Sequence, residues 1–163
     1  MNQGAALSPS AQRVQDALAA AGVISRIVEY DTPARTSPEA AAVLGCEVGQ
    51  IAKSLVFRAA SGAPVLVIAS GANRVDEKKI SGLVGEAIGK ADAAFVRTVT
   101  GYAIGGIPPL AHAQPLVAWI DRNLLQYARV YAAGGSPHAM FPIAPDDLVR
   151  VTRGTVADVA AEL

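Results

Sequence analysis

The stretch from Ile51 to Ser70, IAKSLVFRAASGAPVLVIAS, constrains the fold more than any other part of the chain. Two runs rich in β-branched and aliphatic residues flank ASGA, which has turn chemistry, and together they predict a β-hairpin. Side chains of a strand alternate between two faces. One face of the first strand then carries Ile51, Lys53, Leu55 and Phe57, and the other Ala52, Ser54, Val56 and Arg58. Lys53 thus falls on the more apolar face. It can snorkel from an edge strand, burying its stem and keeping its ammonium wet. It can equally be a partly desolvated ammonium at a pocket rim, placed to meet a phosphate, a carboxylate or a developing oxyanion.

The flanking sequence predicts short helices and further strands. In SPSAQRVQDALAA, Ser8 can cap, Pro9 suits the first helical position, and Val14, Ala17, Leu18 and Ala21 form a stripe ended by Gly22. VISRIVEY alternates as a strand up to Asp31. In TSPEAAAVLG, Thr36 caps, Glu39 closes a capping box and Gly45 terminates. VDEKKISGLVG reads as a polar helix, AAFVR as a strand, PLVAWID as a strand, RNLLQ as a short helix, ARVYAA as a strand and PDDLVRVT as a helix. Hairpins mixed with short helices, without strict βαβ alternation, predict an α+β (mixed α/β) domain. Its centre is a mixed, mostly antiparallel sheet flanked by short helices, in a single domain over residues 1–163.

The balance of charge narrows the partners. Fourteen basic residues match fourteen acidic ones, which argues against broad binding to DNA or RNA through many phosphates but allows contact with one RNA end. Aromatic residues make up 5% of the chain, too few for base-stacking platforms. No apolar run is long enough to cross a bilayer. The N-terminal MNQGAALSPS has no basic segment followed by an apolar one, and the single cysteine, Cys46, cannot pair internally. These features set a cytoplasmic expectation.

Signatures of common chemistries are missing: no G-x-S-x-G, no phosphate loop ending in Gly-Lys-Ser/Thr, no H-E-x-x-H and no G-x-G-x-x-G. Cys46, His112 and His138 are too scattered for a metal motif, so neither metal nor cofactor is expected. Besides Lys53, two segments can carry chemistry. In TGYAIGGIPPL, Gly101, Gly105 and Gly106 permit close backbone approach while Pro108 and Pro109 stiffen the end of the loop. Such a loop is either an ordinary connection or a clamp that aims N–H groups at one oxygen. In AAGGSPH, Gly134 and Gly135 can expose amides, and His138 is either structural or a ligand contact.

GQIAKSLVF, TGYAIGGIPPLAH and YAAGGSPHAMF, in this order, resemble the YbaK/ProX superfamily of aminoacyl-tRNA deacylases, from about Thr36 to about Asp158. That superfamily includes the editing domain inserted in bacterial prolyl-tRNA synthetase. The resemblance implies hydrolysis, without a metal, of the ester joining a wrong amino acid to the 3′ end of a tRNA, typically tRNA(Pro). The attacking water is then helped by the substrate's own ribose hydroxyl. It places Lys53, Gly105, Gly106, Gly134 and Gly135 at the reacting centre. Thr36, Gly101, Ile107, Pro108, Pro109 and His138 are placed around the substrate. The partners it implies are the aminoacyl-tRNA acceptor end and prolyl-tRNA synthetase.

Two departures narrow the branch. Ala133 stands where the cysteinyl-tRNA(Pro) deacylases often have a serine before the second glycine pair, which disfavours cysteine-specific hydrolysis. Ala111 stands where relatives often have glycine before His112. The pattern looks closer to free-standing editors of alanine or 2-aminobutyrate. The alternatives are a Cys-tRNA(Pro) deacylase, a module that binds aminoacyl-tRNA or a synthetase without catalysis, and a protein acting on a small nucleotide-like ester.

Overall fold

The structure, a computed structural model, describes residues 6–162; the first five residues, within the segment read as lacking an export signal, lie outside it. Five α-helices are present among the described residues, α1 (Pro9–Ala20), α2 (Ser37–Leu44), α3 (Glu77–Val84), α4 (Ala93–Thr100) and α5 (Pro145–Thr152), with short 3-10 helices at Val48–Gln50 and Arg122–Gln126. The strands are β1 (Val28–Glu29), β2 (Ile51–Ala59), β3 (Pro64–Ser70), β4 (Ile88–Lys90), β5 (Val117–Asp121), β6 (Val130–Ala133), β7 (Ala139–Ile143) and β8 (Thr155–Ala157). They form one sheet in the order β1-β7-β6-β2-β3-β5-β8, with β4 added beside β2. The pairs β1–β7, β2–β3, β2–β4 and β6–β7 are antiparallel, and β2–β6, β3–β5 and β5–β8 are parallel. No helix among the described residues is long and apolar enough to cross a membrane.

The hairpin lies at the centre, as its sequence predicts, with seven residue pairs from Ala52↔Ser70 to Arg58↔Pro64. Both its faces are covered. Ala52, Val56, Leu66 and Ile68 pack with Val14 and Leu18 of α1, Val96 and Val99 of α4, and Leu148 of α5. On the opposite face, Phe57, Val65 and Val67 pack with Ile80 of α3, while Ile51 packs with Ala40 and Ala41 of α2. Each fully buried aliphatic or aromatic side chain contributes about 1.5–3 kcal/mol, so these layers fix the register of the hairpin. Lys53 lies between the part of that face under α2 and the part under α3. Its apolar neighbours are explained by those two helices, and its own position by the space between them.

Local capping chemistry sets the helix ends. The Thr36 hydroxyl accepts from the Glu39 amide, and the Glu39 carboxylate accepts from the Thr36 amide, the expected capping box. Ser8 caps α1, and Gly45 ends α2 in the left-handed region.

Two assignments differ from the sequence reading. AAFVR is helical, within α4, because the Asp92 carboxylate caps the Phe95 amide and Val96, Val99 and Thr100 bury one helical face. The strand of this region is the preceding Ile88–Lys90, paired with β2. VISRIVEY pairs over only Val28–Glu29, because the Gln15 side chain takes the Ile27 amide and the Ser25 carbonyl that a ladder would use.

Candidate functional site

The sheet has an opening beside β2. Strand β6 pairs with it at Ile51 and Ala52, and β4 pairs with it from Phe57 to Ala59. Among the described residues nothing pairs with 53–56 along that edge. Backbone polar groups alternate between the two edges of a strand. The Ile51 carbonyl and the Ala59 amide both bond on the β3 side, to Gly71 and Ala63, so the odd-numbered residues face β3. The amide and carbonyl of Ser54 therefore face the opening. The Ser54 hydroxyl is also buried without a hydrogen-bond partner among the described residues, a costly state unless something fills it.

A cavity of about 360 Å³ occupies this place. Ala52–Leu55 form one wall, Arg35–Pro38 at the start of α2 a second, and Ile104, Gly105 and Ile107 a third. Its size is at the lower end of ligand sites, about 300–1,000 Å³. Among the described residues the lining holds two charged side chains, Arg35 and Lys53, and no carboxylate.

The Lys53 ammonium donates to the Asn73 carbonyl at 2.8 Å. The Asn73 amide group donates to Asp121 Oδ2 at 2.8 Å, and the Ser70 amide donates to the same oxygen at 3.0 Å. Asp121 Oδ1 accepts from the Asn123 amide, and the residue is 1% exposed. Burial lowers the Lys53 pKa from the ordinary lysine value, while the charge of Asp121 opposes the shift. The lysine is thus half-buried and held through Asn73 by a buried carboxylate. Sequence reasoning does not find Asn73 and Asp121. The one signal for them is a polar residue ending an apolar strand, in WID.

This shift has a consequence for stability. The unfolded chain holds the Lys53 proton at pH values where the folded chain has released it, so stability rises with pH through that interval. The interval runs from the lowered folded pKa up to the ordinary value near 10.5. Below it the cost of burying the charge is present in full. The stability of the wild type relative to a Lys53→Met variant should therefore increase as pH rises through this interval. Paired thermal melts between neutral and alkaline pH check the sign.

The glycine-rich loop is closed at its base. The Ala113 amide donates to the Thr100 carbonyl, and the buried Tyr102 hydroxyl donates to the Ala111 carbonyl at 2.9 Å. His112 Nε2 lies 2.7 Å from the Pro108 carbonyl, and burial lowers the pKa of this imidazole, the Pro108 bond opposing. Within this frame Gly105, at φ 97°, lines the cavity, and its amide has no acceptor among the described residues. Ile104 stands beside it at the mouth, 57% exposed.

The residues expected at the site separate into two groups. Lys53, Gly105, Thr36 and Ile107 line the cavity. Gly106, Gly134 and Gly135 do not present amides to it: these donate to Ala103, Ala139 and Gly106 carbonyls respectively. Their lack of a side chain serves packing. A Cβ on Gly106 would lie 2.4 Å from Ser136 Cα, and one on Gly135 2.9 Å from the Ser10 carbonyl oxygen. Gly101 ends α4 in the left-handed region. Pro108 and Pro109 are buried away from the cavity, and Pro109 lines a separate depression with His112 and Arg153. His138 Nδ1 lies 2.9 Å from the Tyr30 carbonyl, and its own carbonyl accepts from the Tyr30 amide, so it fastens the end of β1.

Ala111 has φ 67°, unusual for a residue with a Cβ. A β-branched side chain there is strained, so Ala111→Val should lower stability by about 2 kcal/mol. Ala111→Gly fits the backbone and should stay within about 0.5 kcal/mol of wild type. Denaturant titration of both variants tests this.

The family model of the aminoacyl-tRNA editing domain matches residues 31–151, and the chain belongs to this family. A crystal structure of a candidate trans-editing enzyme for prolyl tRNA synthetase superimposes with a TM-score of 0.91 at 46% identity, covering 96% of this chain and 100% of that one. The chain is 30% identical to the uncharacterised protein YwhH of Bacillus subtilis (strain 168), over 75% of this chain and 78% of YwhH. It is 24% identical to EbsC of Enterococcus faecalis (strain ATCC 700802 / V583), a candidate Cys-tRNA(Pro)/Cys-tRNA(Cys) deacylase, over 73% of each chain.

Proposed function

We propose that this protein is a trans-editing deacylase that hydrolyses mischarged tRNA, with tRNA(Pro) carrying alanine or another small amino acid as its substrate. The observation that carries the reading is that one cavity is lined by Lys53, by Gly105, whose amide has no acceptor among the described residues, and by Ser54 on the open edge of β2. An aminoacyl ester offers what these groups lack: a carbonyl oxygen that gains negative charge, an α-ammonium and an adjacent phosphate. Membership of the editing family and the likeness to a candidate prolyl-tRNA trans-editing enzyme support the substrate class.

In this reading water adds to the ester carbonyl, the carbon–oxygen bond to the ribose breaks, and the ribose oxygen leaves with a proton. The products are a free amino acid and uncharged tRNA. The Gly105 amide donates to the carbonyl oxygen as it becomes an oxyanion, and Lys53 supplies positive charge beside it. Ser54 binds the aminoacyl group through its backbone carbonyl and buried hydroxyl. No side-chain nucleophile is needed, because positioning and preorganised dipoles lower much of the barrier to hydrolysing an activated ester. Gly106, Gly134 and Gly135 act indirectly: Gly106 lets the two glycine loops approach each other, Gly134 leaves room for Ile27 and Ala139, and Gly135 lets its loop approach Ser10 in α1. Recognition is confined to the acceptor end, consistent with a chain of zero formal net charge, and the reaction takes place in the cytoplasm.

The experiment is a deacylation panel with tRNA(Pro) charged with alanine, 2-aminobutyrate, serine, cysteine and proline. Hydrolysis of the alanyl or 2-aminobutyryl ester with proline spared is the expected result. Preferred hydrolysis of the cysteinyl ester would move the protein to the Cys-tRNA(Pro) branch. Binding without hydrolysis of any member would make it a recognition module.

A further inference from the structure

We propose that Arg35 is a second anion-binding residue of this cavity, and that it takes the 5′-phosphate of the terminal nucleotide while Lys53 serves the ester. The inference rests on the deacylase reading for the identity of the nucleotide, but its geometric basis is independent. The chain has no formal net charge, with acids and bases in equal number. Yet the two charged side chains lining the cavity, Arg35 and Lys53, are both cations. A concave site with positive charge only is built for an anion.

The state of the Arg35 side chain points the same way. Its guanidinium has no ion pair or hydrogen bond among the described residues. The nearby carboxylate of Glu39 is committed elsewhere: its Oε1 accepts from the Arg35 and Thr36 amides and from the Thr36 hydroxyl. The capping box therefore keeps the acid at the helix start and leaves the guanidinium free. The stem of Arg35 also has a fixed place. A Cβ on Gly105 would meet Arg35 Cγ at 3.5 Å and Cβ at 3.9 Å, so the stem of the arginine packs beside Gly105 in the loop that lines the cavity. The Ala34 amide, donating to the Pro137 carbonyl at 2.7 Å, ties the preceding residue to the second glycine loop. Arg35 is thus an exposed residue of the cavity lining, on a different segment from Lys53, where a fork of donors suits the non-bridging oxygens of a phosphate.

Lys53 is less suited to that task. Its ammonium is half-buried and already donates to Asn73, leaving it a short reach from the strand. The labour is therefore divided, with the deep cation beside the ester and the outer one on the phosphate.

The test compares adenosine 5′-monophosphate with adenosine in binding, and 3′-aminoacyl-adenosine with and without its 5′-phosphate in hydrolysis. Wild type should prefer the phosphorylated member of each pair by about tenfold. Arg35→Gln, which keeps the stem against Gly105, should lose the preference through KM with kcat within about twofold. Arg35→Lys should restore part of it. The exposed position of Arg35 means that melting temperature should not change. A wild type indifferent to the phosphate, or an Arg35→Gln variant that keeps the preference, overturns the inference. Preference in binding without hydrolysis of either ester would leave Arg35 as assigned and overturn the deacylase reading instead.

Discussion

Replacing Lys53 with alanine is expected to leave a folded protein whose kcat/KM for mischarged tRNA is lower by about 10²–10³-fold, the loss typical for one preorganised group facing an oxyanion. The structure explains why the fold should survive. The lysine lies in the space between α2 and α3, and burial already disfavours its charge, so its removal relieves a desolvation cost. One hydrogen bond, to the carbonyl of the half-buried Asn73, is lost. Lys53→Met, which keeps the stem and discards the charge, should show the same kinetic loss with a melting temperature at or above wild type. Lys53→Arg should not restore the rate, because a planar fork cannot occupy the place of a compact ammonium. A purified, folded Lys53→Ala protein that deacylates at the wild-type rate would remove Lys53 from the chemistry.

Sequence reading reaches what is encoded locally. The hairpin is written as two apolar runs around a turn, and the capping box of α2 as Thr36 and Glu39 three residues apart; both form as read. AAFVR reads as a strand because a short apolar run has no period of its own. Asp92 before it, a cap, is the available sign of a helix. The cavity is less legible because its parts come from separate segments. Lys53 can be named from its odd place in an apolar strand, but Asn73 and Asp121, which hold it, are distant in sequence. Arg35 reads as one exposed cation among many until the fold sets it in the same cavity lining as Lys53. Glycines pose a different problem. A glycine that offers its amide and a glycine that makes room for a neighbour look identical in sequence. The Gly106 amide donates to the Ala103 carbonyl and an added Cβ there would meet Ser136, whereas the Gly105 amide has no acceptor among the described residues, and only the destination of each N–H tells them apart.

That distinction yields the second large effect. Gly106→Ala should destabilise the protein by about 3 kcal/mol, although the change adds one methyl group. The added Cβ would lie 2.4, 2.6 and 2.8 Å from Ser136 Cα, C and N, all backbone atoms that no rotamer change can move aside. The two glycine loops must separate, and the bond from the Gly135 amide to the Gly106 carbonyl, 3.1 Å long, goes with them. Melting temperature should fall by about 6–12 °C, given about 2–4 °C per kcal/mol for a domain of this size. Activity should fall as well, since Gly105, whose amide is proposed to face the carbonyl, rides on the displaced loop. Gly82→Ala is the matching control. Gly82 is in α3 with nothing within 4 Å of an added Cβ, so alanine there should stabilise by about 0.5–1 kcal/mol through helix propensity. If Gly106→Ala melts with wild type while Gly82→Ala behaves as expected, the loops yield more easily than their contact implies. The glycine would then have to be explained by its own chemistry at the site.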